Sequence, residues 1–248
     1  DRLGMYVVSF ISGILTMSSV AVVAFTYREV VYHKRRVGVL EALKASWSMG
    51  IHSRGRNFIL LLIVVALYSF GGSIYMCAFT IKMYLILGSM TMYGVVSGFS
   101  GLTNMFMPYI VGRIGDRYSK ETLLLCGMVV RNTFVLYLAF TWDVLPIIIF
   151  MVAPMWVFIH VPITSLTTDY SEEGYESEAQ SLRGIIHGVF NMTGGLAGGL
   201  IAEMLNVRAN IHALDIVLII GSTFLFIATL PAYLLRRNRG QEILKLKF

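Results

Sequence analysis

Seven apolar blocks limit this chain to very few folds. They span residues 5–27, 58–83, 90–111, 122–140, 144–167, 183–205 and 213–235. Each is long enough to cross a hydrocarbon core of about 30 Å as a helix of about 20 residues. Inside lipid every backbone N–H and C=O must find a partner within the protein, which leaves only helices and closed barrels. The ten-residue alternation of barrel strands is absent. The expected fold is therefore an all-α membrane protein with seven transmembrane helices. Composition agrees, because the 248 residues are 56% hydrophobic and only 14% charged, against roughly 25% charged in soluble domains. Cys77 and Cys126 both lie inside apolar blocks and suggest neither a disulfide framework nor a metal site. No phosphate-binding loop, nucleophile elbow or zinc-binding helix motif occurs. No cofactor and no enzymatic activity are expected.

Lysine and arginine orient the spans. The loop after the first carries Arg28, Lys34, Arg35, Arg36, Lys44, Arg54 and Arg56. Arg113, Arg117 and Lys120 follow the third, Arg183 ends the loop after the fifth, and Arg236, Arg237, Arg239, Lys245 and Lys247 lie in the tail. The other side has only Arg2, Lys82 and Arg208. The bias makes the loops after spans one, three, five and seven cytoplasmic. It accounts for the net charge of +6 without a nucleic-acid partner. The expected location is the plasma membrane, with multiple passes.

The longest loop, 28–57, opens with the basic run "REVVYHKRR", which suits anionic headgroups. Val37, Leu40, Leu43 and Trp47 then recur at helical spacing, as in a short helix lying on the membrane surface. One span, a long linker and six closely spaced spans divide the chain into 1–27, 28–57, 58–235 and a cytoplasmic tail, 236–248. The chain opens at Asp1 without methionine, on an apolar run too long for a signal peptide. The start of the protein is expected to lie upstream.

Between the third and fourth spans stands "VGRIGDRYSKET", 111–122. Its triplet Asp116-Arg117-Tyr118 resembles the D-R-Y that ends the third span of rhodopsin-like receptors. The rest of that pattern is missing: the last span has no N-P-x-x-Y, and the sixth has no C-W-x-P but is rich in glycine. Gly112, Gly115, Asp116, Arg117 and Lys120 instead resemble the G-x-x-x-D-R-x-G-R-[KR] loop of major facilitator superfamily transporters, with Ser119 in place of the second glycine. The stretch "GSMTMYGVVSGFSGLTNMFMPYIVGRIGDR" is similar to that family's eighth helix and its loop. "SLRGIIHGVFNMTGGLAGGLIAEML" is similar to the eleventh, and "TTDYSEEGYESEAQSLRG" to the loop before it.

The resemblance implies that span one is the family's sixth helix and 28–57 its interdomain linker. The remaining six spans are then the C-terminal half of a twelve-helix transporter, with five helices missing. It implies secondary active transport of a small solute by alternating access, with proton or sodium as coupling ion. The implied partners are that solute, the lipid bilayer and the missing N-terminal half. A seven-helix receptor and a non-transporting membrane scaffold are the alternatives.

Asp116 is placed to cap the fourth span and to pair with Arg183 as a cytoplasmic clasp. Substrate in such a transporter lies near the midplane between the halves, so polar residues near mid-span are the cavity candidates. Tyr68 and Tyr75 flank Gly71 and Gly72, and Ser97, Ser100 and Asn104 form a stripe with Pro108. Trp156, His160 and Thr164 follow i, i+4, i+8, and His187 and Asn191 share a face with Gly195 and Gly198. Each also has a structural reading, such as serine bonding to the preceding turn. Pro162 is expected to kink its span near His160. Gly184/Gly188, Gly194/Gly198 and Gly195/Gly199 each form a G-x-x-x-G, expected to let helices approach closely.

Arg131 lies mid-span, which is costly. It could hold an anionic group of the substrate or a carbonyl or carboxylate between helices. The second is the expectation, because the resemblance puts the family's ninth helix away from the cavity. No Asp or Glu lies near the centre of a span; Asp143, Glu203 and Asp215 stand at outer ends. Proton coupling would then use His160, His187 or a carboxylate of the missing half.

Overall fold

Apolar runs interrupted only by glycine and proline produce rods and sharp breaks. The computed structural model describes residues 53–171, 174–206 and 210–246. The expected first span and the surface helix of the linker lie outside the described residues. Among those described are eight helices and no strand. They are α1 Ser53–Leu87, α2 Met90–Arg117, α3 Lys120–Phe140, α4 Val144–Val152, α5 Val157–Tyr170, α6 Glu176–Met204, α7 Ala213–Ile227 and α8 Thr229–Leu246.

Five helical segments are long and apolar enough to cross a membrane: Arg56–Leu87, Lys120–Phe140, Val144–Tyr170, Glu176–Met204 and Ala213–Arg239. With its 28 residues α2 is long enough, but its many Gly, Ser, Thr and Asn residues keep it out of that set. Of the six spans expected among the described residues, five therefore meet the criterion of length and apolarity.

Local chemistry sets the ends. Gly88, at φ +67°, closes α1 in the left-handed region that glycine enters without strain. The Ser89 hydroxyl then caps α2 by accepting from the Met92 amide at 3.1 Å. Ser119 caps α3 in the same way, accepting from the Thr122 amide at 3.2 Å. The cap expected from Asp116 does not form, because "GRIGDR" winds on as the last turns of α2 and puts Asp116 inside that helix.

The fifth expected span breaks at Pro154, which lacks an N–H, and divides into α4 and α5. Pro162, where the kink was expected, sits within α5 instead. A proline there cannot bond the carbonyl four residues earlier, that of Phe158. Gly127 of α3 lies against that carbonyl so closely that a Cβ would stand 2.8 Å from it. The last span divides at Ala228, three residues before Pro231, and α8 continues as helix to Leu246, into the residues read as a tail.

Helix α1 is the hub, packing chiefly on α6 and α7. Glycine permits both contacts. A Cβ on Gly71 would meet that of Phe224 at 2.7 Å, and one on Gly221 would meet that of Tyr75 at 2.7 Å. On the other flank Gly194 and Gly198 of α6 lie against the backbone of Phe70 and Ile74. Only this one of the three G-x-x-x-G pairs is used so, since Gly184, Gly188, Gly195 and Gly199 have open space where a Cβ would be. The core is filled by Leu61 and Val64 of α1, Leu124 and Met128 of α3, and Leu214 and Leu218 of α7. Large apolar side chains remain exposed on α2 and α6, including Phe99, Met105, Leu196 and Met204.

Ion pairs knot both ends of the bundle. At one, the Lys82 ammonium, in a residue 1% exposed, meets Asp215 at 2.5 Å. It donates to the Leu138 carbonyl at 2.8 Å and lies 4.5 Å from the centre of the Trp142 ring. The indole N–H of Trp142 donates to Asp215 at 3.2 Å. At the other end Glu121, also 1% exposed, accepts from Arg239 at 2.6 Å and from the Tyr170 hydroxyl at 2.8 Å. Lys120 pairs with Asp169 at 2.7 Å beside it.

Candidate functional site

Three rungs join α1 to α6. Ser69 Oγ and His187 Nδ1 share a hydrogen bond of 2.7 Å, Ser73 Oγ donates to Asn191 Oδ1, and the Cys77 thiol donates to the Gly195 carbonyl at 3.7 Å. Both helices advance four residues per rung in the same direction, so they run parallel and keep one register. The rungs form one wall of a cavity of about 760 Å³, a size suited to a small organic solute.

Other elements complete the lining. Tyr68 and Tyr75 come from α1, Ser100 from α2, Arg131 from α3, Phe150 from α4 and His160 from α5. Trp156 and Met155 stand at the break between α4 and α5 and add an indole and a thioether to the lining. The Trp156 N–H donates to Asn104 Oδ1 at 2.7 Å, and Asn104 donates to Ser100 Oγ at 3.3 Å. His160 stands at the centre of an aromatic cluster. Its ring centre lies 5.2 Å from that of Trp156, 6.0 Å from that of His187 and 6.1 Å from that of Tyr68, all edge to face.

Of the cavity candidates chosen from sequence, Tyr68, Tyr75, Ser100, Trp156, His160, His187 and Asn191 line this one space. Asn104 does not line it but holds Trp156 in place. Arg131 was expected away from it, between helices. The structure instead puts its guanidinium in the lining, donating to the Tyr75 hydroxyl, 5.0 Å from the centre of the Tyr68 ring and 5.4 Å from that of Tyr75. A sequence signal for this existed. Leu124, Met128, Arg131, Val135 and Leu138 follow the 4-3-4-3 spacing of an inward stripe, and the other four are fully or almost fully buried. Ser69, Ser73 and Cys77 were also missed, although they too share one face of α1.

The charged-turn residues are more dispersed. No ion pair joins Asp116 to Arg183; Asp116 and Arg117 are exposed, and Arg183 Nε donates to Gln180 at 3.0 Å. Gly112 has nothing near its missing Cβ, and Gly115 has only ordinary contacts, so neither supports a close approach in this conformation. Lys120 has its partner in Asp169 rather than in the clasp. Among the described residues no group of His, Cys, Asp and Glu could hold a metal.

A family model described as Major Facilitator Superfamily matches residues 61–247, three quarters of the chain. The chain belongs to the Major Facilitator Superfamily. No curated protein and no solved structure matches it. Membership makes it a multi-pass membrane transport protein of the permease kind, carrying a small-molecule substrate across a bilayer. It favours transport over the receptor reading of Asp116-Arg117-Tyr118. A major facilitator chain is also not generally an enzyme.

Proposed function

We propose that residues 58–235 are the C-terminal half of a twelve-helix major facilitator transporter and that the cavity is this half's share of the substrate site. The observation that carries the reading is the lining itself, in which polar groups from five elements converge near mid-span in a member of a transport family. Spans of this kind keep polar side chains for a path or a partner. Residues 1–27 then belong to the N-terminal half and 28–57 to the linker. The exposed apolar faces of α2 and α6 would meet that other half or lipid. In this reading the ends joined by Glu121 and Arg239 face the cytoplasm of a cell whose plasma membrane holds the protein. Transport proceeds by alternating access, driven by a proton or sodium gradient, with His160 and His187 as this half's candidates for carrying a proton.

Cys77 provides the test. It is half-buried and lines the cavity. In the full-length protein with every cysteine except Cys77 replaced by serine, membrane-impermeant methanethiosulfonate reagents should label Cys77 through water. Labelling from both faces of sealed vesicles, at rates that change when a gradient is imposed, is the expected signature of alternating access. A Cys77 that stays unreactive from both faces would remove the aqueous cavity and with it this reading.

A further inference from the structure

We propose that the cavity binds an organic anion, with Arg131 as the counter-charge of a single carboxylate or phosphate group. The inference rests on the transport reading above and names the chemical class of the solute.

Arg131 carries its charge in a setting unlike that of the other deeply placed charges. Lys82 has Asp215 and Glu121 has Arg239. Among the described residues Arg131 has no carboxylate; its contacts are one phenol oxygen and the faces of two tyrosine rings. A guanidinium offers five N–H donors in a planar fork that matches the two oxygens of a carboxylate or phosphate. A second observation points the same way. Among the described residues the Tyr68 hydroxyl has no hydrogen-bond partner, although Tyr68 is only 5% exposed. A buried hydroxyl without a partner is costly, and Tyr68 lines the same cavity as Arg131, its ring facing the guanidinium. Among the described residues the lining contains no Asp or Glu. One cation, one idle hydroxyl and no competing carboxylate make a site short of one negative charge.

The rest of the wall describes the body of the solute. Phe79, Phe150, Met151, Met155 and Trp156 offer aromatic and thioether surface, while the Ser69, Ser73, His187 and Asn191 rungs offer neutral polar groups. A lone inorganic oxyanion would leave that apolar surface facing water. The shape and chemistry fit a small acid with an apolar or aromatic body.

The test uses the full-length protein with every cysteine except Cys77 replaced by serine, in proteoliposomes, and reads the labelling of Cys77. After correction for reactivity with a free thiol in solution, the anionic sulfonatoethyl reagent should react faster than the cationic trimethylammonium-ethyl reagent. Benzoate or phenyl phosphate should slow the labelling, and neutral benzyl alcohol should not. Arg131→Gln should abolish the preference for the anionic reagent and weaken protection by roughly tenfold or more, the loss expected for a charged hydrogen-bond partner. Arg131→Lys should keep the charge preference and lose part of the protection. Should Arg131→Gln fail to fold, Tyr68→Phe removes only the idle hydroxyl and should weaken protection by both anions. Equal labelling by the two reagents, protection by benzyl alcohol as strong as by the anions, or an unchanged charge preference in Arg131→Gln each overturns the proposal while leaving the aqueous cavity in place. Failure of both reagents to reach Cys77 removes the transport reading as well.

Discussion

Asp215 shows how much a single carboxylate can organise in this bundle. It neutralises Lys82, accepts from Trp142, and stands 3.4 Å from His212 Nδ1. Removing its charge leaves an ammonium in a residue 1% exposed without a counter-ion. Breaking a buried pair from one side costs about 3–5 kcal/mol. Asp215→Asn should therefore lower the thermal unfolding midpoint in detergent sharply, whereas a fall of only a degree or so would mean that Lys82 is already satisfied by the Leu138 carbonyl. Neither partner was paired from sequence, because Lys82 and Asp215 lie on different helices and nothing local links them. Charge counting registered Lys82 only as a rare cation of its side. Arg131 was misplaced for a different reason: analogy with the family's ninth helix was set above the inward stripe that its own neighbours spell out.

Helices were legible wherever apolar length decides, and their breaks were not. Each of the six expected spans from residue 58 onward corresponds to a helix or a helix pair. The sequence offered three prolines within one span, Pro146, Pro154 and Pro162, and all look alike as letters. Pro154 breaks the helix, whereas Pro162 is carried within α5. The glycines divide in the same way, since only tertiary contact tells a used G-x-x-x-G from an idle one. Gly194→Ala should force α6 away from the Phe70 backbone and cost about 1–3 kcal/mol, as overpacking does. Gly199→Ala, with nothing within 4 Å of the added methyl, should leave stability unchanged or slightly raised. Melting curves of the two variants side by side would decide it, and equal midpoints would count against the close contact between α1 and α6.

Over the whole molecule, the clasp foreseen between Asp116 and Arg183 is absent from this conformation, and the ends of α3, α5 and α8 are held instead by Glu121 and Lys120. If the clasp belongs to another stage of the transport cycle, an Asp116→Cys, Arg183→Cys pair in the full-length protein should cross-link in one gradient direction and not in the other. Cross-linking that never exceeds that of an exposed control pair would leave the charged turn as a topological signal alone. The parallel rungs between α1 and α6 bear on the same cycle. Because the rungs repeat every four residues on both helices, a shear of four residues, about 6 Å, would seat Ser73 opposite His187 and Cys77 opposite Asn191. Intermediate offsets would leave those hydrogen bonds unmade. The pair thus has detents, and slippage along this seam would come as a click from one notch to the next rather than a glide.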